Sequence, residues 1–258
     1  MSDALKLEKH GHVTTVTFNN PPAHTWTPES LLQLIDIVEA LNNDTENYAL
    51  ILTGDGEKFF SAGADLNGFN HNDKGRAFEF ALAFGRSFEV LSNYNGVSIA
   101  AINGYAMGGG LEVALACDIR IASQNAQMAL PECAVGLLPS GLGTQHLPWL
   151  VGEQWAKRMI LLGERLKADR ALAIGLISEI VESDQLINKA MELATKVEKQ
   201  SPTSVRYCKE LIMAARHQPM SSQFTTEREQ FVKLWDSQDQ KEGVAAFIEK
   251  RQPVWQNA

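Results

Sequence analysis

Asn103-Gly104-Tyr105-Ala106-Met107-Gly108-Gly109-Gly110-Leu111-Glu112 lies between the apolar run 97–102 and the helical run 111–117. A strand that ends in glycines and restarts as an apolar helix opens a turn where α/β proteins place ligands. The helical run puts Gly109 at a helix N-terminus, with an unpaired N–H and a favourable dipole. An isolated glycine triplet is more often a tight turn with close packing. A second small-residue stretch after a predicted strand, Phe60-Ser61-Ala62-Gly63-Ala64-Asp65-Leu66, changes that balance. If the Ala64 N–H points to the same spot as that of Gly109, the pair can polarise a carbonyl and hold an enolate.

Outward from these stretches the chain alternates strand and helix. Residues 13–18 alternate as a β-strand, and Asn19-Asn20-Pro21-Pro22 breaks it. Thr27 caps a helix with Pro28 in its first position, and Leu31, Leu34, Ile35, Val38 and Leu41 share one face. Residues 49–53 read as a buried strand ended by Gly54-Asp55-Gly56. A helix over 76–91 carries Phe84, Phe88 and Leu91, and the strand 97–102 follows it. Residues 119–122 and 127–130 are further short strands, 142–173 is mainly helical, and 177–181 is the last strand. Then Leu186, Ala190, Leu193, Ala194 and Val197 repeat at helical spacing, and Ser201-Pro202 starts another helix. These elements predict a core of strands and helices followed by a helical C-terminal section.

The 258 residues, 45% hydrophobic and 21% charged, suffice for a substantial core. A formal charge of -8 repels nucleic acid and anionic lipid, so neither is expected as a partner. Cys117, Cys133 and Cys208 fit neither a disulfide framework nor a zinc site, which predicts a reducing compartment. Residues 1–10 carry charge and lack the apolar core of a secretory signal, and no apolar run spans a bilayer. A cytoplasmic protein is expected. His10 and His12 read as alternating on one strand face, without the further ligands a metal site needs.

Glu112 follows the triple glycine, and Glu132 follows the short strand in Met128-Ala129-Leu130-Pro131-Glu132. A carboxylate in apolar surroundings is costly unless paired or employed, so each is either hydrogen-bonded or poised for proton transfer. A single glutamate at a helix start is commonly there for the dipole, but two beside oxyanion donors favour catalysis. No P-loop or dinucleotide fingerprint is present. Gly96-Val97-Ser98-Ile99-Ala100 lacks the last glycine of a serine-hydrolase elbow, so Ser98 is read as a sheet residue.

The chain resembles the crotonase superfamily, also called the enoyl-CoA hydratase/isomerase family, over nearly its whole length. The marks are Ser61 to Leu66, Asn103 to Glu112, Cys117-Asp118-Ile119-Arg120, Pro131-Glu132, Gly143-Thr144-Gln145 and Phe247-Ile248-Glu249-Lys250-Arg251. The resemblance implies a crotonase-like (ClpP/crotonase) spiral of strand-strand-helix units over 1–197. A helical oligomerisation region over 198–258 would build a homotrimer or a homohexamer. In that assembly the apolar face led by Leu186 and Val197 would be partly buried between subunits.

By the same likeness, the Ala64 and Gly109 amides form the oxyanion hole for an acyl-CoA thioester. Glu112 activates water for attack at C3, and Glu132, twenty residues further on (132 - 112 = 20), protonates C2. Pro22, Ala23, His24, Ala62, Asp65, Leu66 and Gly108 would contact substrate or CoA, and Phe247 and Lys250 would reach a neighbouring subunit's ligand. No cofactor is expected beyond the CoA of the substrate, and no metal. Asn67 stands where many relatives carry lysine, and His146 where arginine is frequent. Acyl selectivity is expected to lie within 67–91 and 135–142.

Two acids favour a hydratase, since moving a double bond needs only one base. The alternatives are Δ3,Δ2-enoyl-CoA isomerisation or another crotonase reaction and, from a different class, a non-catalytic RNA-binding or scaffold member, against which the charge argues.

Overall fold

A computed structural model describes residues 4–70 and 72–258; residues 1–3 of the stretch read for a secretory signal, and position 71 of the predicted selectivity segment, lie outside them. In chain order the elements are β1 (Leu5–His10), β2 (Val13–Phe18), α1 (Pro28–Asn43), β3 (Ala49–Gly54), β4 (Phe59–Ser61) and α2 (Lys74–Ser92). Next come β5 (Val97–Ile102), β6 (Tyr105–Met107), α3 (Gly109–Ala116), β7 (Ile119–Ser123), β8 (Gln127–Ala129) and α4 (Gly143–Leu161). The remainder is β9 (Leu166–Lys167), α5 (Ala168–Ala173), β10 (Glu179–Val181), α6 (Leu186–Glu198), α7 (Pro202–Ala214), α8 (Met220–Lys233) and α9 (Gln238–Glu249).

Two sheets result, one ordered β1-β2-β3-β5-β7-β10 and the other β4-β6-β8-β9. Successive turns of the chain lay one strand in each sheet and then a helix: β3-β4-α2, β5-β6-α3, β7-β8-α4. The predicted strand-strand-helix spiral is this repeat. Period-two alternation sorts the large sheet's side chains into two cores. Leu50, Leu52, Ala100 and Ile102 face α1 to α4, while Ala49, Ile51, Ile99 and Ala101 face α6.

The predicted start of α1 holds in detail: the Thr27 hydroxyl accepts from the Ser30 amide, the Ser30 hydroxyl accepts from the Thr27 amide, and Pro28 opens the helix. Asn103 joins the two sheets. Its amide donates to the carbonyls of Gly54, Gly56 and Phe59 at 2.7 to 3.2 Å, and its oxygen accepts from Gly54 N–H at 3.0 Å. Ser98 is a buried sheet residue, bonded to the Asp118 carboxylate.

Three readings need correction. β1 was not foreseen, and His10 ends it while His12 lies beyond the Gly11 turn, so the two histidines flank a hairpin instead of sharing a strand face. The two glycine-rich stretches do not simply follow strands: each contains one, β4 or β6, of the second sheet. Finally, the Leu186 face of α6 is used within the chain, with Leu186, Ala190 and Ala194 buried and Val197 packed against the same core. Exposed apolar residues gather on α8, α9 and the turn between them, among them Met220, Phe224, Phe231, Trp235, Phe247 and Ile248, although others such as Ile187 on α6 and Trp149 on α4 are exposed too.

α7 is pinned to the core by Lys209, which donates to the Asp118 carboxylate at 2.7 Å and to the Gly96 carbonyl at 3.1 Å. Buried Asp239 on α9 accepts from the Ser201 and Thr203 hydroxyls and from the Gln256 and Asn257 amides, which ties down the C-terminal segment. The expected boundary at 197/198 falls in the last turn of α6.

Candidate active site

The β4 and β6 stretches run side by side as parallel strands, so the residues leaving them arrive at one place. A methyl carbon built on Gly63 would lie 2.6 Å from the Met107 carbonyl oxygen and 3.0 Å from the Gly109 nitrogen. No side chain fits there, which is the physical reason for glycine at position 63. One built on Gly110 would collide with the Ser61 carbonyl. The two loops therefore touch through their backbones.

Ala64 is held by a bridge to Trp26, in which the Trp26 amide donates to the Gly63 carbonyl and the Asp65 amide to the Trp26 carbonyl. Those bonds use the groups on either side of Ala64 and leave its own N–H over. Gly109 is the first residue of α3, where helical geometry supplies no acceptor. Among the described residues, neither amide has a hydrogen-bond partner.

Glu112 is in the first turn of α3 and is 2% exposed. Its Oε1 accepts from the amides of Gly141 and Gly143, both at 2.8 Å. Leu142 between them has φ +74°, the left-handed region, and this turn aims both amides at one oxygen. Burial pushes the Glu112 carboxyl up to about 8; the two amide bonds oppose the rise and the charge of Glu132 adds to it.

Glu132 opens the 3-10 turn Glu132–Val135, and its carboxyl lies against Gly108, where a built methyl carbon would be 3.1 Å from Oε1. Both Glu132 oxygens are buried without a partner among the described residues, and burial lifts the group to about 7. Two carboxyls that burial inclines to neutrality thus flank the start of α3. Above them stands the edge of Phe84, 2.6 Å from a methyl carbon built on Gly109, within a run of ring contacts through Phe69, Phe80, Phe84 and Phe88.

The sequence pattern described as "Enoyl-CoA hydratase/isomerase" matches residues 8–258. The chain belongs to that family. Among its relatives, the short-chain-enoyl-CoA hydratase of Clostridium acetobutylicum is 39% identical over 95% of this chain and 94% of its own. The structure of DspI from Pseudomonas aeruginosa superposes with a TM-score of 0.96 at 58% identity, covering 99% of this chain and 97% of that one. An enoyl-CoA hydratase from Bacillus anthracis superposes at 0.94 with 32% identity, covering 99% and 100%. The fold expected from the resemblance is therefore the fold observed.

Of the other residues that the family likeness marked, the structure brings Ala23 and His24 beside Ala62 and its neighbour Ser61, with Pro22, Asp65 and Leu66 adjoining them along the chain. The Ala62 amide donates to the Ala23 carbonyl at 2.9 Å, and the Ser61 hydroxyl to the His24 carbonyl at 2.7 Å. Pro22 follows a cis peptide bond, and Asp65 caps the turn Leu66–Phe69 by accepting from the Asn67 amide. Asn67 itself donates to Asp65. Phe247 and Lys250 are elsewhere, at the exposed end of α9, with Lys250 closing that helix in the left-handed region.

His146 is buried, and desolvation with the charges of Arg216 and Arg120 holds its pKa down at about 4, which suits a neutral hydrogen-bonding residue. The clamp of Gly141 and Gly143 on Glu112 escaped sequence reasoning. Its one signal was Gly143 in Gly143-Thr144-Gln145, where a methyl carbon would sit 2.8 Å from Glu112 Oε1.

Proposed function

We propose that the protein adds water across the C2–C3 double bond of a 2-enoyl-CoA to give the 3-hydroxyacyl-CoA. The observation that carries this reading is the pair of carboxyls, Glu112 and Glu132, beside the unpartnered amides of Ala64 and Gly109. A thioester conjugated to a double bond accepts a nucleophile at C3 only if negative charge can collect on its oxygen, and two fixed N–H donors in a dry site supply that sink.

Glu112, with Oε1 clamped by two amides, turns its other oxygen to water and takes a proton as the water oxygen bonds to C3. The electron pair of the double bond moves onto the thioester oxygen as an enolate. Glu132, with no competing partner, gives its proton to C2 as the enolate collapses, so the substrate gains H and OH. Proton exchange between the acids and solvent resets the pair. No electrons leave the system, and the chemistry as written needs no redox group.

Pro22, Ala23, His24, Ala62, Asp65, Leu66 and Gly108 would line the path of the CoA, and Phe247 and Lys250 would meet the ligand of a neighbouring copy. The names of relatives as hydratases support the acyl-CoA substrate. The reading places the reaction in fatty-acid or related acyl-CoA breakdown in the cytoplasm. Three free cysteines support a reducing compartment, and no described helix is long and apolar enough to cross a membrane.

The test is hydration of crotonyl-CoA followed by loss of the enoyl absorbance. Changing either Glu112 or Glu132 to Gln is expected to lower kcat by about 10²- to 10⁴-fold with acyl-CoA binding nearly intact. Full turnover in either variant removes that residue from the mechanism. Faster conversion of a 3-enoyl-CoA than of the 2-enoyl-CoA would make the protein an isomerase.

A further inference from the structure

A solvent-accessible cavity of about 670 Å³ opens at the C-terminal end of α3, the end away from Glu112, between α7 and the first residues of β5 and β7. Such a volume is within the range of small-molecule sites, roughly 300–1,000 Å³. Val97, Ile119, Val205, Ile212, Met213 and Trp255 give it a largely apolar wall.

The charged residues of the wall are Arg120, Lys209 and Arg216 against one carboxylate, Asp118, so the cavity carries 3 - 1 = +2 in a chain of formal charge -8. Asp118 is already bound by Lys209 at 2.7 Å. Arg120, 8% exposed, donates from Nε to the Leu176 carbonyl at 2.9 Å and from Nη1 to the Cys117 carbonyl at 2.6 Å, which leaves other N–H groups of its five over. Among the described residues the Arg216 guanidinium bonds the His146 ring, at 3.0 Å, and burial, reinforced by the charges of Arg216 and Arg120, holds that ring's pKa down. Among the described residues, neither guanidinium has a carboxylate at ion-pair distance.

Arg120 is buried and Arg216 half-buried beside it; a guanidinium withdrawn from water is costly without an anion, and a planar carboxylate matches its paired N–H geometry. A bare inorganic anion would satisfy the charge and leave the apolar wall wet. An alcohol or alkane would do the reverse. We propose that this cavity binds an amphipathic carboxylate, its head held by Arg216 and Arg120 and its aliphatic chain laid along Val205, Ile212 and Met213. Ile212, 66% exposed, and exposed Cys208 mark the mouth. The inference is independent of the reaction assigned to the glycine-rich loops.

Calorimetric titration of the full-length protein with octanoate tests it, with octanol and inorganic phosphate as controls. Saturable binding of one octanoate per chain is expected, with neither control saturating over the same concentrations. Arg216→Met and Ile212→Glu should each weaken octanoate at least ten-fold while crotonyl-CoA hydration and the circular dichroism spectrum stay as in the parent, which locates the ligand away from Glu112. No saturable octanoate binding, including the case of a second copy filling the cavity in solution, would overturn the proposal. So would full affinity in Arg216→Met, or phosphate binding as tightly as octanoate.

Discussion

At the scale of single residues, Glu112 and Glu132 predict how activity and stability follow pH. Burial raises both, to about 8 and about 7, and they interact, so they titrate as a pair. Hydration needs one of them ionised and the other protonated. Between about 7 and about 8 the pair holds a single proton, so kcat/KM should be a narrow bell, falling below about 7 as a second proton binds and above about 8 as the last one is lost. Because Glu112 is the higher of the two, the productive arrangement, with Glu112 ionised and Glu132 protonated, is the minor form of that singly protonated pair. A plateau reaching down to pH 5 would contradict it.

Stability carries the opposite signature to that of a salt-bridged acid. With its native pKa above the ordinary value of 4.5, Glu112 binds more protons folded than unfolded, so its contribution is full below about 4.5 and is lost as pH rises through about 8. Glu112→Gln should be the more stable protein at pH 9, by several degrees in Tm, with the advantage gone near pH 4. Calorimetric melts at the two pH values decide it. The acids themselves were legible in the sequence, because carboxylates beside apolar runs are conspicuous. The clamp was not, since it depends on Leu142 occupying a conformation that leucine seldom adopts and no sequence pattern announces.

At the scale of elements, the long ones could be read, as could short β8 and β10, whereas β4, β6 and β9 could not. α1, β3 and β5 advertise themselves by caps and by runs whose period is set by burial on one or both faces. β4 and β6 have three residues each and β9 has two, too few for any period to show, although the pairing of β4 with β6 brings the Gly63 and Gly109 loops together; β8, as short, was readable as the strand expected at 127–130. β1, with the sequence LKLEKH, is an edge strand with one buried residue, and its charge hides it.

The packing of α3 on β4 predicts unequal glycines. Gly110→Ala drives a methyl group into the Ser61 carbonyl, so it should separate the loops, lowering Tm and cutting hydration at least ten-fold. Gly136→Ala meets open space at φ +73° and should cost only the strain of a left-handed alanine, about 1–2 kcal/mol. Equal effects of the two changes would remove the claim that contact across the α3–β4 seam holds the site.

At the scale of the whole molecule, the exposed Phe224, Phe231 and Trp235 near α8, with Phe247 and Ile248 on α9, are more apolar surface than a monomer ordinarily leaves in water. Light scattering should give three or six times the chain mass of 28.4 kDa, and charged substitutions at Phe231 and Ile248 should shift that mass downward. A single species at the chain mass would count against assembly. Asn103, which laces one sheet to the other, sets a limit of a different kind. It precedes Gly104, and an asparagine before glycine is chemically short-lived in a loose chain, because the unhindered amide attacks the side-chain carbonyl and leaves aspartate behind. Folded, that side chain is immobilised by four bonds and the attack is stalled. Once aspartate has formed, its acceptor-only oxygens would face the carbonyls that the amide once served, and the seam could not re-form. Time spent denatured is thus written into the covalent structure, and heat damage to this enzyme should ripen from reversible into permanent.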